Sequence, residues 1–454
     1  MHPVHKTALP ILLLLGAGAH AAPLTDATLP ARQADVDTIV REISPQRIHA
    51  YVEKLVSFGT RHTMSDTASD TRGIGAARRW IKAELERCGA GKLDVQFQSH
   101  VHPVANRITR PTEIVNVVAT LPGTQPASKD RYYVVSGHYD SRVTDVMNAT
   151  ADAPGANDDA SGTAAVIEMA CVMSRHKFDA SLVFMTVAAE EQGLYGSGDY
   201  AAKAKAAGMN IAGMLNNDII GSSHDENGKL DNAEVRLFAE GVPPVKETTP
   251  ALRTLLQTGG ENDSITRQLA RHVKETGERY VPNFKVNIIY RRDRYLRGGD
   301  HGPFLDAGYA AVRFTEPHED FNHQHQDLRT ENGRKIGDLV EYVDPEYVAQ
   351  VARVNAASLA SLALAPAAPQ DVKVKTANLD NGTDLVWKPN AEPDLAGYRI
   401  VWRDTTAPLW QGSKFVGNVT TYRVDLSKDN LLFGVQAVDK DGNVSPATYP
   451  FPAR

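Results

Sequence analysis

The sequence predicts an α/β protein: a mostly parallel, mixed sheet with helices on both faces, followed by a small all-β sandwich. Three observations carry this. Residues 181–191 read Ser-Leu-Val-Phe-Met-Thr-Val-Ala-Ala-Glu-Glu, an apolar run without strict alternation, as expected of a strand buried on both faces. Strand-like and helix-like segments alternate around it, the pattern of a sheet layered between helices. Beyond an Ala- and Pro-rich stretch near residue 364 the helices stop. Short strands then recur between turn signals such as Asp380-Asn381-Gly382 and Asp441-Gly442-Asn443.

The 454 residues leave room for one large domain and one small one, and a net charge of −6 argues against nucleic acid or an anionic membrane as partner. Residues 1–22 read as a secretory signal, with Lys6 as the basic region, residues 8–19 as the apolar core and Ala19-His20-Ala21 as the cleavage site. That run is too short to span a bilayer, and no later segment is long enough. Export to the periplasm or the extracellular space is therefore expected. Residues 23–43 form a poorly specified lead-in, and the large domain runs over 44–363.

Within that domain, Ser44 and Pro45 open a helix over 44–57 as N-cap and first helical residue, and an amphipathic helix follows over 69–88. Strands are expected at 92–99, 114–120, 132–138, 181–189, 211–217, 284–290 and 310–315. Helices are expected near 161–175, 197–207, 263–277, 301–307 and 345–363, and the polar stretch 222–262 reads as a long insertion. Residues 364–370 form a linker to the sandwich at 371–454. Cys88 and Cys171 lie in helix-like contexts. An oxidising compartment permits a bridge between them, but each also suits a small buried hydrophobe.

The chemistry collects at predicted strand ends. His138 and Asp140 follow one strand, and Asp158 stands in the loop before a helix. Glu190 and Glu191 end the central strand, Asp218 ends the next, and His323 follows the last. In an open parallel sheet these ends share one rim, where ligands bind. Singly, a strand-end aspartate is more often a turn residue, His138 a satisfied histidine and Glu190-Glu191 a solvated pair. Together, two imidazoles and several carboxylates with no matching Lys or Arg repel one another, and divalent metal resolves the repulsion. A mixed nitrogen and oxygen donor set suits zinc.

The segments His138-Tyr-Asp140-Ser141, Pro154-Gly-Ala-Asn-Asp158-Asp-Ala-Ser-Gly162, Ala189-Glu190-Glu191-Gln-Gly-Leu-Tyr-Gly-Ser197, Asn217-Asp218 and His323-Gln-His-Gln-Asp327 resemble the co-catalytic two-zinc aminopeptidases, a family that also holds glutamate carboxypeptidases. The likeness runs over about residues 45–362. It implies that His138 and Asp218 hold one zinc, that Glu191 and His323 hold the other, and that Asp158 bridges them. It further implies Glu190 as general base and Asp140 as acceptor of a hydrogen bond from the His138 ring. The His-x-x-x-Asp frame selects His323 over His325. The Val386-Trp387-x-Pro389, Asp394-Leu-Ala-Gly-Tyr-Arg-Ile400 and Val435-Gln-Ala-Val-Asp439 segments resemble a fibronectin type III domain, which implies an adhesion or spacer unit able to bind a surface or polymer.

The expected function is hydrolysis of amino-terminal residues from peptides, with a dipeptidase or carboxypeptidase of the same family as the alternative. A metal-free receptor is the reading from another class, and the retention of every ligand opposes it. A one-zinc glutaminyl cyclase is disfavoured by the presence of both His138 and Asp158. In Tyr290-Arg-Arg-Asp-Arg-Tyr-Leu-Arg-Gly-Gly-Asp-His301, Tyr295 is a candidate for the oxyanion position and Arg297 for a substrate carboxylate. The plainer reading of its arginines is an ion-paired loop wall with Asp293 and Asp300. Asp300-His301 resembles a Ser-Asp-His turn of that family, with Gly299 in place of the serine.

Overall fold

The computed structural model describes residues 32–244 and 248–453, so the signal expected over 1–22 lies outside the described residues. Residues 32–43 of the lead-in are more regular than their composition suggests. Helix α1 (Ala34–Glu42) buries Val36, Ile39 and Val40, an i, i+3, i+4 stripe. Helix α2 (Pro45–Val56) starts as predicted, the Ser44 side chain accepting the Arg47 N–H. Helix α3 (Gly73–Gly89) then leads into the sheet.

The sheet has eight strands: β1 (Asp94–His102), β2 (Thr112–Leu121), β3 (Arg131–His138), β4 (Ser181–Val187), β5 (Asn210–Asn217), β6 (Glu234–Ala239), β7 (Lys285–Ile289) and β8 (Ala311–Thr315). Their order is β1-β2-β4-β3-β5-β8-β6-β7. The centre, β4-β3-β5-β8, is parallel, whereas β1 and β2 pair antiparallel to each other and β2 to β4. All seven residues of β4 are buried, as its unbroken apolar run requires. Strand β6 lies inside the stretch expected to be irregular. Val235 and Leu237 alternate with Glu234 and Arg236 there, a period-2 signal too short to stand out from its polar surroundings.

Helices α4 (Gly162–Met173), α5 (Tyr195–Ala206), α6 (Pro250–Gln257), α7 (Ile265–Tyr280), α8 (His301–Asp306) and α9 (Pro345–Leu364) complete the large unit. Helix α4 is buried along its whole length, and α9 buries most of its residues against α1, α2, α4 and α7. Cys88 of α3 and Cys171 of α4 form a disulfide with Cα atoms 5.1 Å apart. A short hairpin, β9 (Arg329–Glu331) and β10 (Arg334–Ile336), follows β8. Among the described residues no helix is long and apolar enough to cross a membrane.

After α9 the chain forms two sheets. One contains β11 (Lys373–Lys375), β12 (Thr383–Val386), β15 (Thr421–Val424) and β17 (Phe451–Ala453); the other contains β13 (Leu395–Asp404), β14 (Gly412–Gly417) and β16 (Leu431–Asp439). Pairing is antiparallel except between β11 and β17. Leu385, Trp387, Tyr398, Ile400, Phe433 and Val435 fill the core between them. Charged groups tie this unit to the large one: Arg403 of β13 meets Asp263 at 2.6 Å, and Arg131 of β3 meets Glu392 at 3.2 Å, all four side chains being nearly inaccessible.

Candidate metal centre

His138 closes β3 and is buried. Its Nε2 lies 3.0 Å from Asp158 Oδ1 and 3.8 Å from Asp218 Oδ1. Across the same rim, His325 Nε2 lies 2.8 Å from both Asp158 Oδ2 and Glu191 Oε1. Neither His325 Nε2 nor Glu191 Oε1 has a hydrogen bond of acceptable geometry, although both are buried atoms. Donor atoms that face one another without bonding are what a ligand set for a cation looks like. Among the described residues the two such groups are His138, Asp158, Asp218 and Asp158, Glu191, His325, with Asp158 common to both. The donor set fits zinc.

Of the predicted residues, the structure brings His138, Asp158, Glu191 and Asp218 together. His323 is a correction. Its ring stacks on Tyr342 at 3.7 Å and its Nδ1 faces Asp320 at 3.6 Å, while His325, two residues on, enters the centre. The cause is local: His325 has a left-handed φ of 57°, and the chain turns sharply there. Ala189 (60°) and Ile219 (61°), next to Glu190 and Asp218, are bent the same way.

The loop before α4 separates two adjacent acids. Asp158 faces the histidines. Asp159 instead accepts the backbone N–H groups of His138 (2.9 Å) and Gly162 (2.9 Å), which joins β3 to α4. Two residues that the motifs did not reveal hold this loop. Asp338 accepts the N–H groups of Asn157 and Asp158, each at 2.7 Å. Arg61, fully buried, donates to the carbonyls of Tyr139, Pro154 and Gly155.

Asp140 departs in part from its expected role. The His138 Nδ1 is 3.2 Å from the backbone carbonyl of Asp140 and 3.5 Å from its carboxylate. The carboxylate also accepts the N–H groups of Glu190 (3.3 Å) and Glu191 (3.2 Å). Asp140 therefore fixes the turn that carries both glutamates. Glu190 stays outside both donor groups and lines the open cleft. Burial first, with Asp218, Glu191 and Asp300 adding like charge against the opposing pull of His138, pushes its carboxyl well above the usual range. Burial opposes ionisation of Asp158, but His325 and His138 overcome it and hold that carboxyl low.

The rim is not free of basic residues, contrary to the charge argument drawn from the sequence. Arg313, fully buried, sits 3.1 Å from Asp218 and 3.0 Å from Asp293. Arg142 Nε is 3.0 Å from Glu191 Oε2, and its Nη2 is 2.7 Å from His325 Nδ1. Arg313 also accounts for Gly299: a Cβ there would lie 3.0 Å from Arg313 Nη1 and 3.2 Å from Asp218 Oδ2, so the guanidinium fills the space a side chain would need.

Tyr295 is a second correction. It is 83% exposed, lies under Arg291 at 4.1 Å and does not line the cleft. Arg297 does line it, and also pairs with Glu319 at 3.2 Å. Arg292 and Arg294 are engaged as a wall, Arg292 with Glu240 and Asp306, Arg294 with Asp293 and Glu319; Arg291 lies over Tyr295, and Asp300, expected in that wall, pairs with none of these arginines.

A buried centre of histidine and carboxylate donors, at the carboxyl ends of parallel strands, makes this a candidate metal-binding protein on an α/β sheet. The family model for peptidase family M28 matches residues 116–343, which hold every residue of both donor groups. A probable zinc metalloprotease of Leptosphaeria maculans is 51% identical over 93% of this chain and 98% of its own length. One from Pyricularia oryzae is 52% identical over 92% and 85%. Among solved structures, the LapA aminopeptidase of Legionella pneumophila has a TM-score of 0.51 at 18% identity, over 75% of this chain and 78% of its own. An aminopeptidase from Aneurinibacillus sp. strain AM-1 has a TM-score of 0.50 at 15%, over 71% and 95%; at such identity these two speak for the fold. The chain belongs to peptidase family M28.

Proposed function

We propose that this peptidase is an exported, zinc-dependent aminopeptidase that removes amino-terminal residues from peptides, with two zinc ions per chain. The observation that carries the reading is the pair of donor groups sharing Asp158, with Glu190 beside them and outside both. His138, Asp158 and Asp218 would hold one ion, and Asp158, Glu191 and His325 the other. The names of the fungal relatives, which specify zinc, and the aminopeptidases of similar fold support this.

Bound zinc would supply Lewis acidity toward the scissile carbonyl and toward water. The chain's own residues do the rest. Glu190, which lines the cleft outside both donor groups, takes a proton from the attacking water and returns it to the leaving amine. Asp140 keeps Glu190 and Glu191 in register with His138, and Asp338 with Arg61 keeps Asp158 in place. Export accords with the disulfide between Cys88 and Cys171, which suits an oxidising compartment.

The test is a panel of amino-blocked and free peptides, offered to chelated and to zinc-restored protein. Hydrolysis of free peptides from the amino end, lost on chelation and regained with zinc, is the expected result. Cleavage of blocked peptides alone would refute the aminopeptidase assignment, and activity indifferent to chelation would refute zinc.

A further inference from the structure

We propose that the sandwich is a working part of the peptidase: Pro408, between β13 and β14, holds one rim of the cleft through Tyr290, which is a positioning residue for hydrolysis. The inference rests on the metallopeptidase reading above and gives the sandwich a part in it other than reaching a surface. The rim is the segment 290–300 between β7 and α8, and Arg294, Leu296, Arg297 and Gly298 of it line the cleft of about 660 Å³ over the donor groups.

The rim is fastened along two lines. The inner line runs through Asp293, a buried carboxylate 3.0 Å from Arg313 Nη1, while Arg313 Nη2 is 3.1 Å from Asp218 Oδ1. The same guanidinium donates to the Gly298 carbonyl at 2.8 Å. This line lies within the large unit and ends on a residue of the donor groups. The outer line ends on the sandwich. Tyr290 Oη donates to the Pro408 carbonyl at 3.1 Å, and the Arg267 guanidinium lies 3.9 Å from the centre of the Tyr290 ring. The next residue, Arg291, has its guanidinium 4.1 Å from the centre of the Tyr295 ring, and Tyr295 adjoins Leu296. Tyr295 is 83% exposed and Leu296 wholly so, and neither is held by a core. Their place is therefore set by the backbone on either side and by the Arg291 contact.

The anchor on the sandwich is itself fixed. The Pro408 carbonyl also accepts Arg271 Nε at 2.8 Å. Arg271 is buried and donates to Asp263 at 2.8 Å and to the Asn262 carbonyl at 2.7 Å. Arg403 donates to the Ala407 carbonyl at 2.6 Å, one residue before Pro408, and the proline ring fixes φ there. Charge-assisted bonds to buried guanidiniums are the strong ones, so this carbonyl keeps its position. An exposed rim tied to a fixed point in another unit takes its place from that unit. With the outer line cut, the rim rocks about Arg313. Substrate is then gripped less well while Asp218 stays where it is, so KM changes and kcat does not.

The experiment compares Tyr290→Phe with Tyr449→Phe in the zinc-loaded full chain. Each removes one hydroxyl that joins the sandwich to the large unit. Tyr449 Oη donates to the Thr258 carbonyl at 2.9 Å, and Thr258 caps α6 and does not line the cleft. Phenylalanine at 290 keeps a ring under Arg267, so only the bond to Pro408 is lost. In Tyr290→Phe, KM for free peptides should rise roughly two- to tenfold, the net worth of one hydrogen bond, with kcat and zinc content unchanged. Backbone amides of residues 291–299 should also exchange with deuterium faster, a readout of local opening that needs no activity. Tyr449→Phe should leave KM and that exchange at wild-type values. Unchanged exchange in Tyr290→Phe, or equal changes in both variants, overturns the inference. Faster exchange with a wild-type protein that cleaves no free peptide upholds the hold on the rim and refutes the aminopeptidase reading. Cleavage by wild type with an unaltered KM in Tyr290→Phe does the reverse: the reading stands and the inference falls.

Discussion

His325 Nε2 stands 2.8 Å from Glu191 Oε1, while His323 turns away to stack on Tyr342. The two histidines thus have different surroundings, His325 among the donor groups and His323 against an aromatic ring. Replacing His325 with Ala should remove one of the two zinc ions, read as metal content after dialysis against buffered zinc. His323→Ala should keep both and lose only its packing on Tyr342. Equal zinc content in the two variants would return the ligand to the His323 that the motif favoured.

Glu190 and Glu191 are neighbours with opposite fates, both held by the Asp140 carboxylate through their N–H groups. Glu190→Gln should lower kcat by about 10²–10⁴-fold, the usual contribution of a positioned base, with zinc content unchanged. Glu191→Gln should lower zinc content itself, with activity partly regained at high zinc. Loss of metal in Glu190→Gln would show that it is a ligand instead.

Much of this centre was legible because each strand end falls where an apolar run stops, so His138, Glu190, Glu191 and Asp218 identify themselves by position along β3, β4 and β5. His325 was not, because it lies in a loop whose direction is set by a left-handed residue rather than by periodicity. Arg61, Asp338 and Arg313 were invisible for a different reason. Each acts through groups far away in sequence, and no local spacing marks a guanidinium that will be buried against Asp218. Helix α1 and strand β6 were missed because each carries too short an apolar pattern for its polar surroundings.

The Cys88–Cys171 bridge closes a separation of 83 residues and joins α3 to α4 behind the sheet. Constraint of the unfolded chain over a loop of that length corresponds to about 4.5 kcal/mol on chain entropy alone, and bridges typically contribute about 2–4 kcal/mol net. A Cys88→Ser, Cys171→Ser double variant, or the reduced protein, should unfold at correspondingly lower urea concentration. Its zinc content should be unchanged, since neither cysteine belongs to a donor group. An unaltered urea midpoint would show that the bridge adds nothing to the fold.

Asp179 lies where the sandwich meets the large unit, and burial, then Asp394 and Asp439, raise its pKa to about 6. Its folded pKa exceeds the ordinary 3.8, so the folded state holds the proton more tightly than the unfolded chain does. The stabilisation it gives is complete below the unfolded value and is lost as pH rises through about 6. Stability should therefore decline between about pH 4 and 7 from this group, and Asp179→Asn should flatten that part of the profile. The check is the thermal midpoint of both proteins across that range. Parallel profiles would remove Asp179 as the cause.

Asp263 shares its carboxylate between Arg271 of α7, at 2.8 Å, and Arg403 of the sandwich, at 2.6 Å, and all three side chains are nearly inaccessible. The order of damage follows from what each substitution leaves behind. Asp263→Asn strands two buried guanidiniums, and breaking a buried pair in this way costs about 3–5 kcal/mol. Arg403→Met removes one charge but leaves Asp263 paired with Arg271, so it should cost distinctly less. Urea unfolding of both variants, compared at constant slope, tests the order. A larger loss for Arg403→Met than for Asp263→Asn would mean that contacts of the Arg403 stem, such as its packing beside Trp410, outweigh the charge it brings to the junction.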